Sequence, residues 1–244
     1  MNHDGNRPAT AEGDDLTIVL REHEAAVLAL WRGSVGRTVR CVPARRTVAT
    51  EHAGRTLYAK LYPTRGGADL EWRWVATLAS AGFRVAKPVG LVRSHRGSLA
   101  VFAAVPGRSL DAWAVTARRE GWLAGWFAYV VGEVAPLVRR LHARGWVHRD
   151  LNCAHLFAVD LVGGGEPSLI DVERVMQPKW RWRRWVVKDL ASLLASCPEP
   201  VPARIALRFL RVYAGEQSRG ERRALAADVQ RKAARALRHR PRYG

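Results

Sequence analysis

The sequence predicts a two-lobed α+β fold, in which a small antiparallel β-sheet with one helix is followed by a mainly helical half. Three observations predict it: short β-prone segments alternate with turn residues up to Val105, a Pro-Gly pair interrupts the pattern at 106–107, and helical periodicity dominates afterwards. We therefore expect a flexible tail over 1–13, an N-terminal lobe over 14–105 and a C-terminal lobe over 106–244.

The elements of the first lobe follow from changes of period along the chain. Apolar residues recur at helical spacing over 16–31 and stop at Gly33, which predicts a first helix. A three-strand meander follows, with strands over 38–42, 46–50 and 56–62. A helix over 68–81 and two more strands, over 85–92 and 98–105, complete the lobe.

Two long helices are the clearest elements of the second lobe. One covers 122–144, and the last covers 220–240 with Leu225, Val229, Ala233 and Leu237 on one face. Arginines surround that apolar face. A solvated basic surface and a contact with a membrane surface are both compatible with this pattern.

Composition limits the classes of function. The chain has 244 residues, with 40 Lys and Arg against 22 Asp and Glu, and a formal net charge of +18. Such a charge favours nucleic acid, an anionic membrane surface or a phosphorylated substrate. The longest stretch without charged residues, 121–132, is shorter than the about 20 residues of a membrane-spanning helix. The polar start lacks the apolar stretch of a secretory signal, which predicts a cytoplasmic protein.

The strongest chemical motif is His-Arg-Asp-Leu-Asn-Cys-Ala-His over 148–155. It places Asp150 on a loop after a long helix, and Asp171 follows at the end of an apolar strand. Phosphoryl transfer needs one Asp to orient the acceptor hydroxyl and another to hold the metal that bridges the nucleotide phosphates. The alternative for Asp150 is a turn residue paired with Arg149.

A lysine upstream completes the pattern. Lys60 lies on the third strand of the meander, where it could neutralise nucleotide phosphates if a carboxylate held it in place. Glu71, in the following helix, is the candidate carboxylate. The alternatives are an edge-strand charge for Lys60 and a solvated helix residue for Glu71.

In this order, the motifs resemble those of the lipopolysaccharide core kinases, the Kdo and heptose kinase family with a protein-kinase-like fold. The resemblance covers most of residues 35–240. HRDLNCAH resembles the catalytic loop, YAKLY the strand with the nucleotide-binding lysine, and RWRRWVVKDLASL the Trp/Arg-Lys-Asp-Leu segment of the family, whereas LIDVERV replaces the D-F-G segment. The resemblance implies that Asp150 is catalytic, that Asp171 binds metal and that Lys60 and Glu71 bind the nucleotide.

One departure from the usual kinase pattern concerns the residue expected to bind the metal. His155 stands five positions after Asp150, where most kinases have a metal-binding Asn, and this resembles the heptose kinase branch more than the Kdo branch. We expect His155 to bind the metal beside Asp171. Because Mg²⁺ prefers oxygen ligands, an imidazole here favours a softer metal such as Mn²⁺, or else it bonds to phosphate.

Two further departures concern the segments around these residues. No G-x-G-x-x-G precedes Lys60, so arginines of the first hairpin are the candidates to cover the phosphates. Only 18 positions separate Asp171 from Asp189, which leaves little room for a peptide-docking segment and argues against a protein kinase. By resemblance, Asp189 braces the catalytic loop from a buried helix; the alternative is a helix N-cap.

A segment of alternating cations and indoles, Lys-Trp-Arg-Trp-Arg-Arg-Trp, covers 179–185. Its rings could stack on sugar faces while its arginines bind phosphates. Equally, it could be a loop or strand that packs internally through cation–π contacts.

Together these features predict an ATP-dependent phosphotransferase that acts on a sugar hydroxyl of the lipopolysaccharide inner core, a heptose kinase or else a Kdo kinase. Its cofactors would be ATP and Mg²⁺, or Mn²⁺. The expected partner is an anionic glycolipid, with peripheral contact to the cytoplasmic face of the inner membrane and no nucleic acid.

Two alternative functions are compatible with the same fold. One is another small-molecule kinase of the aminoglycoside or choline type, although few acidic residues cluster outside the predicted site to bind a cationic acceptor. The other is a catalytically inactive, basic binding module, which would have no need of Lys60, Asp150 and Asp171 together.

Overall fold

A computed structural model describes residues 16–238, and the chain divides into two compact units between Val105 and Pro106. The first unit contains an antiparallel sheet with helices, and the second is mainly helical, which confirms the predicted α+β class. The predicted tail over 1–13 lies outside the described residues, as do residues 239 and 240 of the predicted last helix.

The first unit contains six strands and two helices in its described part. In chain order they are β1 (Thr17–Leu20), α1 (Glu24–Arg32), β2 (Arg37–Val42), β3 (Arg45–His52), β4 (Arg55–Tyr62), α2 (Asp69–Ser80), β5 (Pro88–Ser94) and β6 (Gly97–Ala103). The sheet order is β1-β5-β6-β4-β3-β2, and each neighbouring pair is antiparallel.

The first predicted helix is wrong in its N-terminal half. Thr17–Leu20 forms strand β1 and pairs with β5, with Thr17 opposite Arg93. Its sequence, Thr-Ile-Val-Leu, is rich in β-branched residues, which fit a pleated surface better than a helix. The described part of the unit therefore has six strands where the sequence predicted five.

Alternation along β4 separates the core of the first unit from the face that carries Lys60. Leu57 and Ala59 are fully buried and pack with Leu99 and Val101 of β6. Because successive side chains of a strand point to opposite faces, Lys60 lies on the face opposite Leu57 and Ala59.

The second unit is built mainly from helices. Its described elements are β7 (Arg108–Ser109), α3 (Leu110–Arg119), α4 (Leu123–Tyr129), α5 (Ala135–Ala143), β8 (Leu156–Ala158), β9 (Ser168–Leu169), α6 (Trp182–Ala195), α7 (Ala203–Ala214) and α8 (Arg219–Arg238). A π-helical turn, Val130–Val134, joins α4 to α5. The predicted helix over 122–144 thus contains a widened turn just before Pro136, which cannot donate a backbone hydrogen bond.

A small sheet, in the order β7-β8-β9, positions the loop that carries Asp150. Gly107 precedes β7 at a φ of 90°, and a Cβ atom there would lie 2.1 Å from the carbonyl oxygen of Ala158 in β8. Only glycine allows this close approach. An isolated bridge between Val147 and Met176 ties the loop to the segment after β9.

The last helix, α8, uses its apolar face within the second unit. Leu225, Val229 and Ala233 are buried, whereas Leu237 is 71% exposed. Asp228 of this helix also pairs with Arg183 of α6 at 2.7 Å. Most of the apolar stripe is therefore unavailable to a membrane. None of the helices within residues 16–238 is both long enough and apolar enough to cross a bilayer.

Candidate active site

Lys60 and Glu71 form a close ion pair in the first unit. Nζ of Lys60 lies 2.6 Å from Oε1 of Glu71, and the two side chains are 12% and 4% exposed. The hydroxyl of Tyr62 donates to Oε2 of Glu71 at 3.3 Å. Glu71 is therefore a buried partner of Lys60, and the alternative of a solvated helix residue is wrong.

The pair arises from simple local geometry. Lys60 and Tyr62 are two positions apart on β4, so both point to the face on which Glu71 of α2 lies. A lysine held by a carboxylate in this way presents a fixed positive charge, which suits contact with phosphate oxygens. The hairpin formed by β2 and β3 carries exposed arginines, Arg37, Arg40 and Arg46, and their contact with phosphates stays a prediction.

In the second unit, Asp150 lies in the loop between α5 and β8, with 41% of its side chain exposed. Its Oδ2 atom is 3.9 Å from Nη1 of Arg174. The alternative pairing of Asp150 with Arg149 is not found in residues 16–238. An exposed carboxylate on a fixed loop is accessible to an acceptor hydroxyl.

Asp189 fixes the backbone just before Asp150. Its two oxygens accept the backbone N–H groups of His148, at 2.6 Å, and Arg149, at 2.7 Å. Arg149 has a φ of 67°, a left-handed conformation that non-glycine residues rarely adopt. Asp189 is fully buried inside α6, which begins at Trp182, so the alternative of a helix N-cap is wrong.

The Asp189 carboxylate is itself held from behind by a buried pair. Nε2 of His142 lies 3.2 Å from Oδ2 of Asp189, and Nδ1 of His142 lies 2.8 Å from the hydroxyl of Tyr213. Burial raises the pKa of Tyr213, so its hydroxyl keeps its proton and can donate to His142. The sequence pattern gave no sign of these two residues, which are separated by 71 positions.

Asp171 and His155 lie together in the same unit. Nε2 of His155 is 3.6 Å from Oδ2 of Asp171, and the side chains are 14% and 16% exposed. Asp171 has a φ of 56°, so it too adopts a left-handed conformation. Nδ1 of His155 lies 2.8 Å from the carbonyl oxygen of Asp150. Since a carbonyl can only accept, Nδ1 donates this hydrogen bond, and in a neutral imidazole the lone pair then lies on Nε2, the atom nearest Asp171.

This arrangement fits a divalent metal ion. The separation of 3.6 Å between Nε2 and Oδ2 is too long for a direct hydrogen bond. It suits two ligand atoms that each lie about 2.1 Å from one ion. A ring nitrogen oriented by a backbone carbonyl, as in His155, is the usual arrangement of a metal-binding imidazole.

Sequence reasoning missed two cations beside Asp150. Arg174 lies three positions after Asp171, and Lys188 precedes Asp189 on α6. Burial lowers the pKa of Lys188, and the charges of Arg174 and Arg149 lower it further. The positions of Arg174 and Lys188 in the sequence, close to Asp171 and Asp189, were the signal that could have identified them.

The segment of cations and indoles does not pack internally. Residues 179–184 are all exposed, and Trp180 is 81% exposed. Trp182 begins α6 and contacts the ring of His142 edge-on at 5.8 Å. Within the described residues 179–185, cation–π contacts are found only at Trp185, so the alternative of an internally packed loop applies to the end of the segment alone.

Comparison with known proteins agrees with the motifs. Residues 29–213 match the sequence model of the lipopolysaccharide kinase (Kdo/WaaP) family. The chain is 25% identical over 225 residues to the lipopolysaccharide core heptose(I) kinase WaaP of Escherichia coli K12, covering 76% of this chain and 84% of that protein. A second Escherichia coli protein of the same name is 26% identical over 226 residues, covering 75% and 83%.

Solved structures show the same relationship. A structure titled WaaP in complex with acyl carrier protein superimposes with a TM-score of 0.71 and 27% identity, covering 91% of this chain and 99% of that one. An aminoglycoside-3'-phosphotransferase of type VIII superimposes with a TM-score of 0.57 and 20% identity, covering 86% and 100%. The second likeness shows a shared kinase-like fold.

Proposed function

This chain belongs to the lipopolysaccharide kinase (Kdo/WaaP) family, and we propose that it transfers the γ-phosphate of ATP to a heptose hydroxyl of the lipopolysaccharide inner core. Membership of the family makes it a kinase with a protein-kinase-like fold and implies ATP and a divalent metal as cofactors. The observation that supports a heptose as the acceptor is His155. It stands where most kinases have a metal-binding Asn and lies beside Asp171, in a chain whose relatives are named heptose(I) kinases.

Each residue would have a distinct role in the transfer. Asp150 would orient the acceptor hydroxyl and take its proton, because its carboxylate is exposed and its backbone is fixed by Asp189. Lys60, held by Glu71, would bind the nucleotide phosphates. Phosphoryl transfer requires little covalent chemistry from the protein, so positioning and charge account for most of the catalysis.

Asp171 and His155 would hold the divalent metal. When bound, the ion would neutralise charge on the nucleotide phosphates. The mixed ligand pair, one carboxylate oxygen and one imidazole nitrogen, favours Mn²⁺ over Mg²⁺ compared with an all-oxygen site. Both ions are compatible with catalysis in this proposal, and their order of preference is a test of the role of His155.

The aminoglycoside alternative is less well supported. A cationic acceptor needs carboxylates around the catalytic Asp, whereas Arg174 lies 3.9 Å from Asp150 and Lys188 lies close by. The inactive-module alternative also loses support, because a buried Lys60–Glu71 pair and an oriented His155 are costly to retain without a ligand.

We place the protein in the cytoplasm at the inner face of the inner membrane, where ATP and a glycolipid precursor would meet. The exposed segment over 179–184 supplies cations and indoles that suit peripheral contact with anionic lipid. No nucleic acid partner is proposed.

An acyl carrier protein is a second proposed partner, by extension from the solved relative. A cavity of about 170 Å³ in the second unit supports it, because its lining is almost entirely apolar and would accept an acyl chain. Side chains of four helices form the lining, among them Trp126, Leu190, Phe209 and Val229. Replacing Leu194 in this lining by Trp should reduce co-purification with the carrier.

The direct test uses purified protein, ATP and three acceptors: deacylated inner-core oligosaccharide, the same saccharide lacking heptose, and an aminoglycoside. We expect a mass gain of about 80 Da, one phosphate, only on the first acceptor. Phosphate on the heptose-free saccharide would indicate a Kdo kinase. Phosphate on the aminoglycoside would favour the alternative kinase.

A further inference from the structure

Three cations of the second unit converge on one indole ring. The guanidinium carbons of Arg149 and Arg184 lie 5.4 and 5.5 Å from the centroid of the Trp185 ring, and Nζ of Lys188 lies 5.8 Å from it. Each distance is within the range of a cation–π contact. The charge of Arg174 also acts on Lys188. We call Arg149, Arg174, Arg184 and Lys188 the cationic cluster.

The cluster lacks matching negative charge in the part of the chain that the structure describes. The oxygens of Asp189 accept backbone N–H groups and contact His142, and the one ion pair of Asp150 within residues 16–238 is with Arg174, at 3.9 Å. Nε of Arg149 is buried and has no hydrogen-bond partner among residues 16–238. A buried donor without a partner is costly, and so are like charges held together.

The backbone holds this cluster in a defined direction. Asp189 binds the N–H group of Arg149, which has a left-handed φ of 67°, and this conformation costs free energy that other contacts must offset. The result is that Arg149 points towards Trp185 while the next residue, Asp150, stays exposed. A strained backbone that aims an unpaired donor is a reason to look for a ligand.

We propose that the cationic cluster binds a carboxylate on the sugar acceptor, beside the hydroxyl that Asp150 orients. The proposal rests on the proposed function. The acceptor is favoured over the nucleotide because Arg174 approaches the carboxylate of Asp150, whereas His155 contacts its backbone carbonyl. Arginine and lysine together provide both directional and point-charge contacts to such an anion.

The test compares one acceptor in two charge states. Deacylated inner-core oligosaccharide is used as it is and after its carboxyl groups have been reduced to alcohols, and kcat/KM is measured for both. We expect the wild-type protein to prefer the carboxylate form about tenfold or more, and Lys188→Gln and Arg174→Gln to lose most of this preference. Lys232→Gln, on the exposed face of α8, removes the same charge and should keep the wild-type preference.

Several results would overturn the proposal. One is equal use of both acceptors by the wild-type protein. Another is a rise in the KM for ATP in Lys188→Gln with acceptor preference unchanged, which would assign the cluster to the nucleotide. Calorimetric titration with both saccharides measures acceptor binding separately from phosphate transfer. If neither saccharide is phosphorylated but the carboxylate form binds in a Lys188-dependent way, the proposed function fails and the anion site stands; absence of such binding overturns the anion site.

Discussion

Oδ2 of Asp189 accepts the backbone N–H group of His148 at 2.6 Å, and this contact ties helix α6 to the loop that carries Asp150. The same oxygen lies 3.2 Å from His142, whose other ring nitrogen meets Tyr213. A chain of buried polar contacts thus runs from α7 through α5 and α6 to the loop that carries Asp150. Because every member is buried, loss of one partner leaves another unsatisfied.

Tyr213 gives this chain a measurable pH dependence. Burial raises the pKa of Tyr213 above its usual value of 10.0, so above pH 10 the unfolded state loses a proton that the folded state keeps. The contribution of Tyr213 to stability is therefore complete below pH 10 and declines as pH rises, by at most about 1.4 kcal/mol per unit. Denaturant unfolding at pH 9, 10 and 11 should show a shallower decline in Tyr213→Phe than in wild type.

Tyr58→Phe is the matched control, because Tyr58 is 39% exposed on β4. Its alkaline decline in stability should equal that of wild type. Identical slopes for wild type and Tyr213→Phe would show that the Tyr213 hydroxyl ionises as easily in the folded state as in the unfolded one.

Lys60→Met should reduce kcat/KM for ATP about tenfold or more, because a charge-assisted contact to phosphate is lost. It should also lower the melting temperature, since Glu71 is left buried without its cation. The double variant Lys60→Met/Glu71→Gln should recover much of the thermal stability but none of the ATP use. Thermal melts and steady-state kinetics measure the two effects separately.

Lys87 provides the control for this pair, because it makes an exposed ion pair with Glu22. Lys87→Met should change neither ATP use nor stability by much, because exposed ion pairs contribute little to stability. Unchanged kcat/KM for ATP in Lys60→Met would indicate that the arginines of the β2–β3 hairpin, and not Lys60, bind the phosphates.

His155 should set the metal preference. We expect activity with Mn²⁺ to equal or exceed activity with Mg²⁺ in the wild-type protein, and His155→Asn to shift the preference towards Mg²⁺, since an amide oxygen replaces the imidazole. Initial rates at matched free metal concentrations measure this. If the two proteins have the same ratio of activities, His155 does not bind the metal.

Salt should weaken contact with anionic membranes much more than it weakens ATP binding. The Debye length falls from about 10 Å at 0.1 M salt to about 3 Å at 1 M, which screens the exposed cations of residues 179–184. Co-sedimentation with vesicles that contain phosphatidylglycerol should fall steeply over this range. The triple variant Lys179→Gln/Trp180→Ser/Arg181→Gln should bind at least about 20-fold more weakly, at about fivefold for each lost cation.

Helix α8 supplies the charge-matched control. Arg223→Gln/Arg235→Gln also removes two exposed cations, but the apolar face of α8 is largely packed inside the second unit. We expect a reduction of less than about threefold, from general attraction alone. An equal loss of binding in the two variants, or sedimentation that does not change with salt, would argue against residues 179–184 as the membrane contact.

Local sequence signals predicted much of the fold. The strands around Lys60 and the helix that carries Glu71 are present within a few residues of their predicted bounds, because alternation and periodicity are strong there. The helix predicted over the residues of β1 was wrong because their apolar spacing also fits a helical period. Pairing with β5 makes this segment a strand. Such pairing between distant segments is not encoded in the local pattern.

In the candidate site, too, residues within one motif were predictable, whereas contacts between distant residues were not. Asp150, His155 and Asp171 were identified from motif spacing, and the structure places His155 beside Asp171. The contacts of Asp189 with His142 and Tyr213 join residues far apart in the chain, and no motif marks them. The clustering of Arg149, Arg184 and Lys188 around Trp185 likewise depends on how α6 packs against the catalytic loop.

Phosphate transfer to the inner core through Asp150 is tested most directly by the mass of core oligosaccharide from cells that lack this chain and are supplied with wild type, Asp150→Asn or Asp171→Asn. Each amide keeps the shape of the side chain but loses the charge that orients the hydroxyl or holds the metal. We predict a gain of about 80 Da with wild type alone, while both variants accumulate as folded protein. The same gain with Asp150→Asn would contradict the account.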